Sequence, residues 1–143
     1  MSIWGKTLTV EQLNSIMNQS IEEHLGITVV EVGNDFLKAQ MPVDNRTRQP
    51  FGLLHGGASV VLAETLGSIA SYMALPGENK MGVGVEVNAN HIRAVKDGIV
   101  HGIVKPIRLG SRIHVWEIRI YNQKEELACV SRLTVAVVAR MKK

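Results

Sequence analysis

Gln49 to Met73 reads QPFGLLHGGASVVLAETLGSIASYM. The stretch opens on a turn, Pro50-Phe51-Gly52, followed by the triplet His55-Gly56-Gly57. From Gly56 to Leu75 it holds small and aliphatic residues with no proline, which predicts one helix about 30 Å long. Pro76-Gly77 ends it. The run is apolar on most sides, as expected of a helix enclosed by other elements rather than lying on a surface. Gly57, Gly67 and the Ala and Ser positions keep it slim. One charge interrupts it: Glu64, set among Val60, Val61, Leu62, Leu66 and Ile69. A carboxylate in such surroundings is costly to bury unless it is paired or has a function.

The flanking chain reads mostly as strand. Upstream, Thr7 to Asn18 has helical spacing with Thr9 as a cap, and Ile21 to Leu25 adds a short turn ending at Gly26. Both are expected to serve as a packing cover. Ile27 to Val43 alternates with period two about Gly33-Asn34-Asp35, a hairpin signal; the polar Asp44 to Gln49 is a loop. Downstream, Gly82 to Ile92 alternates around Val83, Val85 and Val87. Gly98 to Lys105, Ser111 to Asn122 and Leu127 to Ala139 follow as strands, separated by Asp97-Gly98, Leu109-Gly110 and Asn122-Gln123-Lys124 turns. Two strands, one long helix and four more strands predict an α+β fold with an antiparallel β-sheet wrapped around one long central helix. With no repeat or linker, residues 1–143 are expected to form one domain.

Composition narrows the function. The 143 residues are 45% hydrophobic and 20% charged, with a net charge of +3. Six aromatic residues, two each of Trp, Tyr and Phe, disfavour a base-stacking nucleic-acid platform despite the mild basicity. Cys129 stands alone, and the five histidines show no His-x-x-x-His spacing, so neither a disulfide nor a metal site is expected. The polar N-terminus does not resemble a signal peptide, and Glu64 breaks the longest apolar run, so a cytoplasmic protein without membrane spans is expected.

The ordered set Gln49-Pro50-Phe51-Gly52, Leu54-His55-Gly56-Gly57 and Ala63-Glu64 resembles the hotdog-fold acyl-CoA thioesterases. Within them it is similar to the 4-hydroxybenzoyl-CoA thioesterase (Arthrobacter type) branch, which includes the bacterial 1,4-dihydroxy-2-naphthoyl-CoA and enterobactin-proofreading thioesterases. Met41-Pro42-Val43-Asp44, Asn88-Ala89-Asn90-His91, Leu109-Gly110-Ser111 and Ser131-Arg132-Leu133 extend the likeness over nearly the whole chain. The resemblance implies hydrolysis of an acyl-CoA thioester. Glu64 would attack the carbonyl or act as general base toward water, two routes that the residues leave open. The Gly56 amide, at a helix N-terminus, would stabilise the oxyanion. Gln49 and His55 would orient the thioester or the carboxylate, and Ser68, four residues past Glu64 on the same face, would hold the water or the carboxylate.

Coenzyme A, part of the substrate rather than a cofactor, needs cations and backbone donors for its phosphates. By the same resemblance Asn90, His91, Arg93, Ser111 and Arg112 would bind it, with Lys105, Arg108 and Arg140 as nearby charges. Met81, Gly82 and Val83 would border the acyl pocket. The resemblance further implies a site shared across a homodimer, Glu64 facing Gln49, His55 and Gly56 of the partner, and a dimer-of-dimers tetramer. Two alternatives are a hotdog hydratase, which uses an Asp/His pair on another motif, and a non-catalytic acyl-CoA-binding or regulatory protein, which would be expected to lose the carboxylate.

Overall fold

The computed structural model describes residues 1–141. Its elements run α1 (Val10–Ile16), α2 (Ile21–Leu25), β1 (Thr28–Val32), β2 (Leu37–Pro42), α3 (Gly56–Ala74), β3 (Lys80–His91), β4 (Ile99–Leu109), β5 (Ile113–Tyr121) and β6 (Leu127–Ala139). The strands form one six-stranded antiparallel sheet in the order β1-β2-β4-β5-β6-β3. The sheet wraps α3, which packs against β2, β4, β5, β6 and β3. The expected α+β architecture is the observed one.

Local chemistry explains the boundaries. Thr9 and Gln12 form a reciprocal capping box at the start of α1. Gly26, in the left-handed region at φ 74°, ends α2. On β5, His114, Trp116, Ile118 and Ile120 alternate inward, as the period-two pattern requires. The core they join includes Leu62, Leu66 and Met73 of α3 and Leu133 of β6. Gly67 lets helix and sheet meet closely: a Cβ there would lie 2.5 Å from Leu133 Cδ2. A buried polar tie fastens α3 to β5. The Ser71 hydroxyl accepts from Trp116 Nε1 at 2.7 Å and is hydrogen-bonded to His114 Nδ1 at 3.0 Å.

Three expectations need correction. The strand expected to stop at Lys105 continues to Leu109, because Pro106 sits beside a bulge between Pro106 and Arg108, where the missing N–H costs no ladder bond. Val83, Val85 and Val87 do not share one face. A bulge between Gly84 and Glu86 reverses the alternation of β3, so Val83 and Val85 are exposed while Val87 packs on the core. Finally, α3 is not enclosed on all sides. Val61 and Glu64 are half-buried, and Ser68 and Tyr72 are exposed, leaving a stripe of the helix open.

Candidate active site

The loop before α3 is built to present the helix N-terminus. Thr47, almost fully buried, donates its hydroxyl to Pro42 O at 2.8 Å, and its carbonyl accepts from His55 N. Leu54 N donates to Val95 O, which ties the loop to the segment after β3. Gln49 closes the Pro50-Phe51-Gly52 turn: its backbone carbonyl accepts from Gly52 N at 3.0 Å, and its side-chain oxygen accepts from Phe51 N. Gly52, at φ 85°, supplies the left-handed position that the turn demands.

His55 is the N-cap of α3. Its Nδ1 accepts from Gly57 N at 2.8 Å, so the neutral ring carries its proton on Nε2. Ala58 and Ser59 both donate to His55 O, at 3.0 and 3.3 Å. Of the first four amides of the helix, Gly57, Ala58 and Ser59 are therefore satisfied. The Gly56 amide alone has no partner among the described residues. Gly56 lines a hollow of about 300 Å³ with Gln49, Ser59, His91 and Arg93. His91 lies directly over the glycine: a Cβ on Gly56 would come 2.8 Å from His91 Nε2. Arg93 is steadied by Glu126 at 3.4 Å. An unpaired N–H at the positive end of a 19-residue helix suits a developing oxyanion.

Glu64 and Ser68 lie elsewhere, in a cleft of about 380 Å³ between α3 and the α1–α2 segment. The Glu64 carboxylate makes no hydrogen bond among the described residues and points past Gly84, where a Cβ would lie 3.1 Å from its Oε1. Eight residues of helix separate Gly56 from Glu64, about 12 Å at 1.5 Å per residue. A carbonyl held at the Gly56 amide is therefore beyond the ~3 Å reach of the same chain's Glu64.

The other expected contacts divide by position. Gly82 faces the α3 side of the sheet, against Ser71 and Val135. Its neighbours Met81 and Val83 point to the opposite face, as Asn90 does beside His91. Ser111 and Arg112 sit in the β4–β5 turn, where Arg112 O accepts from Val137 N, across from Gly82. From Gly82 to His91 the strand spans about 30 Å. Within one chain, then, Arg93 and Arg112 stand at opposite ends of the sheet.

The cleft also holds residues that the sequence reading assigned to packing alone. Ile16, Met17, Ile21 and Glu22 line it with Glu64 and its neighbour Thr65. The α1–α2 cover is thus a wall of the cleft, a role that helical spacing could not have signalled. Glu22 Oε1 accepts from the Thr65 hydroxyl at 3.1 Å. Burial raises the Glu22 carboxyl, but hydrogen bonds from Ser20, its own backbone and Thr65 outweigh it and hold it below the usual value. Cys129 is buried and its thiol is pushed up by that burial, which disqualifies it as a nucleophile at neutral pH. No cluster of metal-ligating side chains and no helix long and apolar enough to cross a membrane occurs among the described residues.

The family model described as "Thioesterase superfamily" matches residues 51–129, which contain the His55-Gly56-Gly57 triplet and Glu64. The chain belongs to the thioesterase superfamily. It is 52% identical over 136 residues to the 1,4-dihydroxy-2-naphthoyl-CoA hydrolase of Escherichia coli, an alignment covering 95% of this chain and 99% of that relative. It is 48% identical to the proofreading thioesterase EntH of Cronobacter turicensis, over 95% of this chain and 98% of that one. The crystal structure of a thioesterase from Haemophilus influenzae superposes with a TM-score of 0.95 at 48% identity, covering 98% of this chain and 97% of that one. The resemblance drawn from the Gln49–Met73 motifs therefore holds for both family and fold.

Proposed function

We propose that this thioesterase-superfamily chain hydrolyses acyl-CoA to the free acid and CoA, with the Gly56 amide as oxyanion donor and Glu64 activating the attack. The unpaired Gly56 N–H carries the reading: three of the four leading amides of α3 are satisfied, and the fourth belongs to a residue that lines a hollow. The thioester carbonyl accepts from that amide, with Gln49, His55 and His91 around it. Glu64, alone or through a water held with Ser68, delivers the nucleophile to the carbonyl carbon. The C–S bond breaks and CoA leaves as the thiolate. Arg93, Ser111 and Arg112 are the groups available to its phosphates.

The ~12 Å between Gly56 and Glu64 supports a site assembled from two chains. Strand β3 offers the means. It is an edge of the sheet, twelve residues long, with Val83 and Val85 exposed. Two-fold antiparallel pairing of β3 with its copy would bring the His91 end of one chain toward the Gly82 end of the other. Glu64 of one protomer then serves the substrate held at Gly56 of its partner, and Arg93 and Arg112 come from different chains. A dimer of such dimers, working in the cytoplasm, completes the proposal.

The test is thiol release from benzoyl-, hydroxybenzoyl-, naphthoyl- and fatty acyl-CoA by the wild-type protein and by Glu64→Gln. The substitution should lower kcat roughly 100- to 10,000-fold without lowering Tm. A folded, contaminant-free Glu64→Gln protein that keeps the wild-type rate would end the assignment. Tight acyl-CoA binding by the wild type without turnover would favour a non-catalytic binder.

A further inference from the structure

The mechanism leaves a second carboxylate in the Glu64 cleft without a task. Glu22 lies on α2, in a wall that is otherwise largely apolar: Ile16, Met17, Ile21, Val61 and Ile69. Its position is set by α3 as well as by its own helix, because Thr65, the residue after Glu64, donates its hydroxyl to Glu22 Oε1 at 3.1 Å. Consecutive helix positions point about 100° apart, so Glu22 is held beside Glu64 rather than on top of it. A carboxylate offers about four acceptor sites. Thr65, Ser20 and the Glu22 backbone engage three of these, which leaves one acceptor site on a side chain that lines the cleft.

This arrangement discriminates chemically. An acyl group reacting at Glu64 would lay its apolar body along Ile16, Met17, Ile21 and Val61, and its far end would meet an acceptor-only anion. A hydrogen-bond donor there replaces the water that Glu22 loses. An unsubstituted ring or alkyl end desolvates the carboxylate with no return, and an anionic end is repelled. We propose that Glu22 is a specificity residue that selects acyl groups carrying a hydroxyl or other hydrogen-bond donor at the end remote from the thioester. The inference rests on the thioesterase reading, and on the Glu64 cleft as the acyl site within it.

The experiment compares kcat/KM for 4-hydroxybenzoyl-, benzoyl- and 4-carboxybenzoyl-CoA in the full-length wild type, Glu22→Ala and Glu22→Gln. The wild type should favour the hydroxyl over the bare ring by at least about tenfold and should turn over the carboxylate worst. Glu22→Ala should bring the hydroxyl-to-bare ratio close to one, with benzoyl-CoA turnover rising as the anion is removed. Glu22→Gln keeps the shape and an acceptor for Thr65 but loses the charge. It should improve 4-carboxybenzoyl-CoA relative to benzoyl-CoA by about tenfold or more, and it decides the matter should the alanine variant not fold. Unchanged ratios in the variants, whether all rates fall together or none moves, overturn the role of Glu22, as does a wild type indifferent to the three substituents. A wild type that hydrolyses no CoA ester overturns the thioesterase reading, and the Glu22 inference with it.

Discussion

Gly56→Ala separates the oxyanion role of this residue from its role in the fold. The glycine has no positive φ, so alanine can adopt its backbone conformation. Alanine is also the better helix former, by up to about 1 kcal/mol in a helix interior. The new methyl would meet His91 Nε2 at 2.8 Å and Cε1 at 3.1 Å. His91 is exposed, and the atoms met are the far end of its side chain, so the ring can swing aside at little cost to stability. Tm should therefore stay within the range expected of a 1 kcal/mol change, a few degrees for a chain of this size. Activity should not be spared. His91 and Gly56 are walls of one hollow, so the methyl and the displaced ring both intrude where the thioester carbonyl must approach the amide. Misplacing a reacting group by about 1 Å costs about 100-fold, and losing an oxyanion donor costs about 100- to 1,000-fold. The expected fall in kcat is thus about 100-fold or more, read from thiol release alongside thermal melts. Adding His91→Ala removes the clash but leaves the methyl, and should not restore the rate. Near-wild-type turnover by Gly56→Ala, or full rescue by the double variant, refutes the assignment of this amide.

Three further predictions address the remaining parts. Arg93→Ala and Arg112→Ala should each raise KM for CoA esters roughly tenfold while leaving short thioesters without the nucleotide little changed; equal losses on both substrates argue against a CoA contact. Val85→Lys places a charge on the exposed β3 edge and should give a folded monomer by sedimentation that lacks activity; an active monomer contradicts the shared site. Burial lowers the His114 imidazole below its ordinary 6.5, so protons favour the unfolded chain. Its contribution is complete above pH 6.5 and is lost as the pH falls below it. Glu22 and Glu126 are held below the ordinary 4.5 and Asp44 at about 2, so their contributions fade at lower pH. Tm measured between about pH 6.5 and 4.5 should fall in the wild type and fall less steeply in His114→Gln; parallel slopes refute the role of His114.

The fold was legible where one period persisted. Leu127–Ala139 was bounded to the residue, its middle alternating from Cys129 to Val135, and Gly33-Asn34-Asp35 marked the first hairpin. Reading failed at irregularities of the ladder. Pro106 looks like a strand terminator unless the bulge beside it is known, and bulges depend on the partner strand. The site followed the same division. His55, Gly56 and Glu64 stand on one helix and carry a motif. Glu22 and Ile16 reach the Glu64 cleft through tertiary docking of α1–α2, which no local pattern encodes.

The β3 bulge shows why that division matters for chemistry. Counted straight, period two would set Gly82 and Gly84 on the same face as Asn88 and Asn90. The extra residue at Val85 instead groups Gly82 and Gly84 with Val87, Ala89 and His91 on the face toward α3. One strand can then do two different things along one helix. Its glycine half leaves room for the Glu64 carboxylate, which a side chain at position 84 would crowd at 3.1 Å. Its other half covers the start of the helix and sets His91 over the free Gly56 amide. Without the shift, either an asparagine would occupy the place of His91 or valines would stand against Glu64. The charge in Gln49–Met73 is therefore accommodated by an irregularity in another strand, and the same irregularity sets His91 over Gly56, in the wall of the hollow they share.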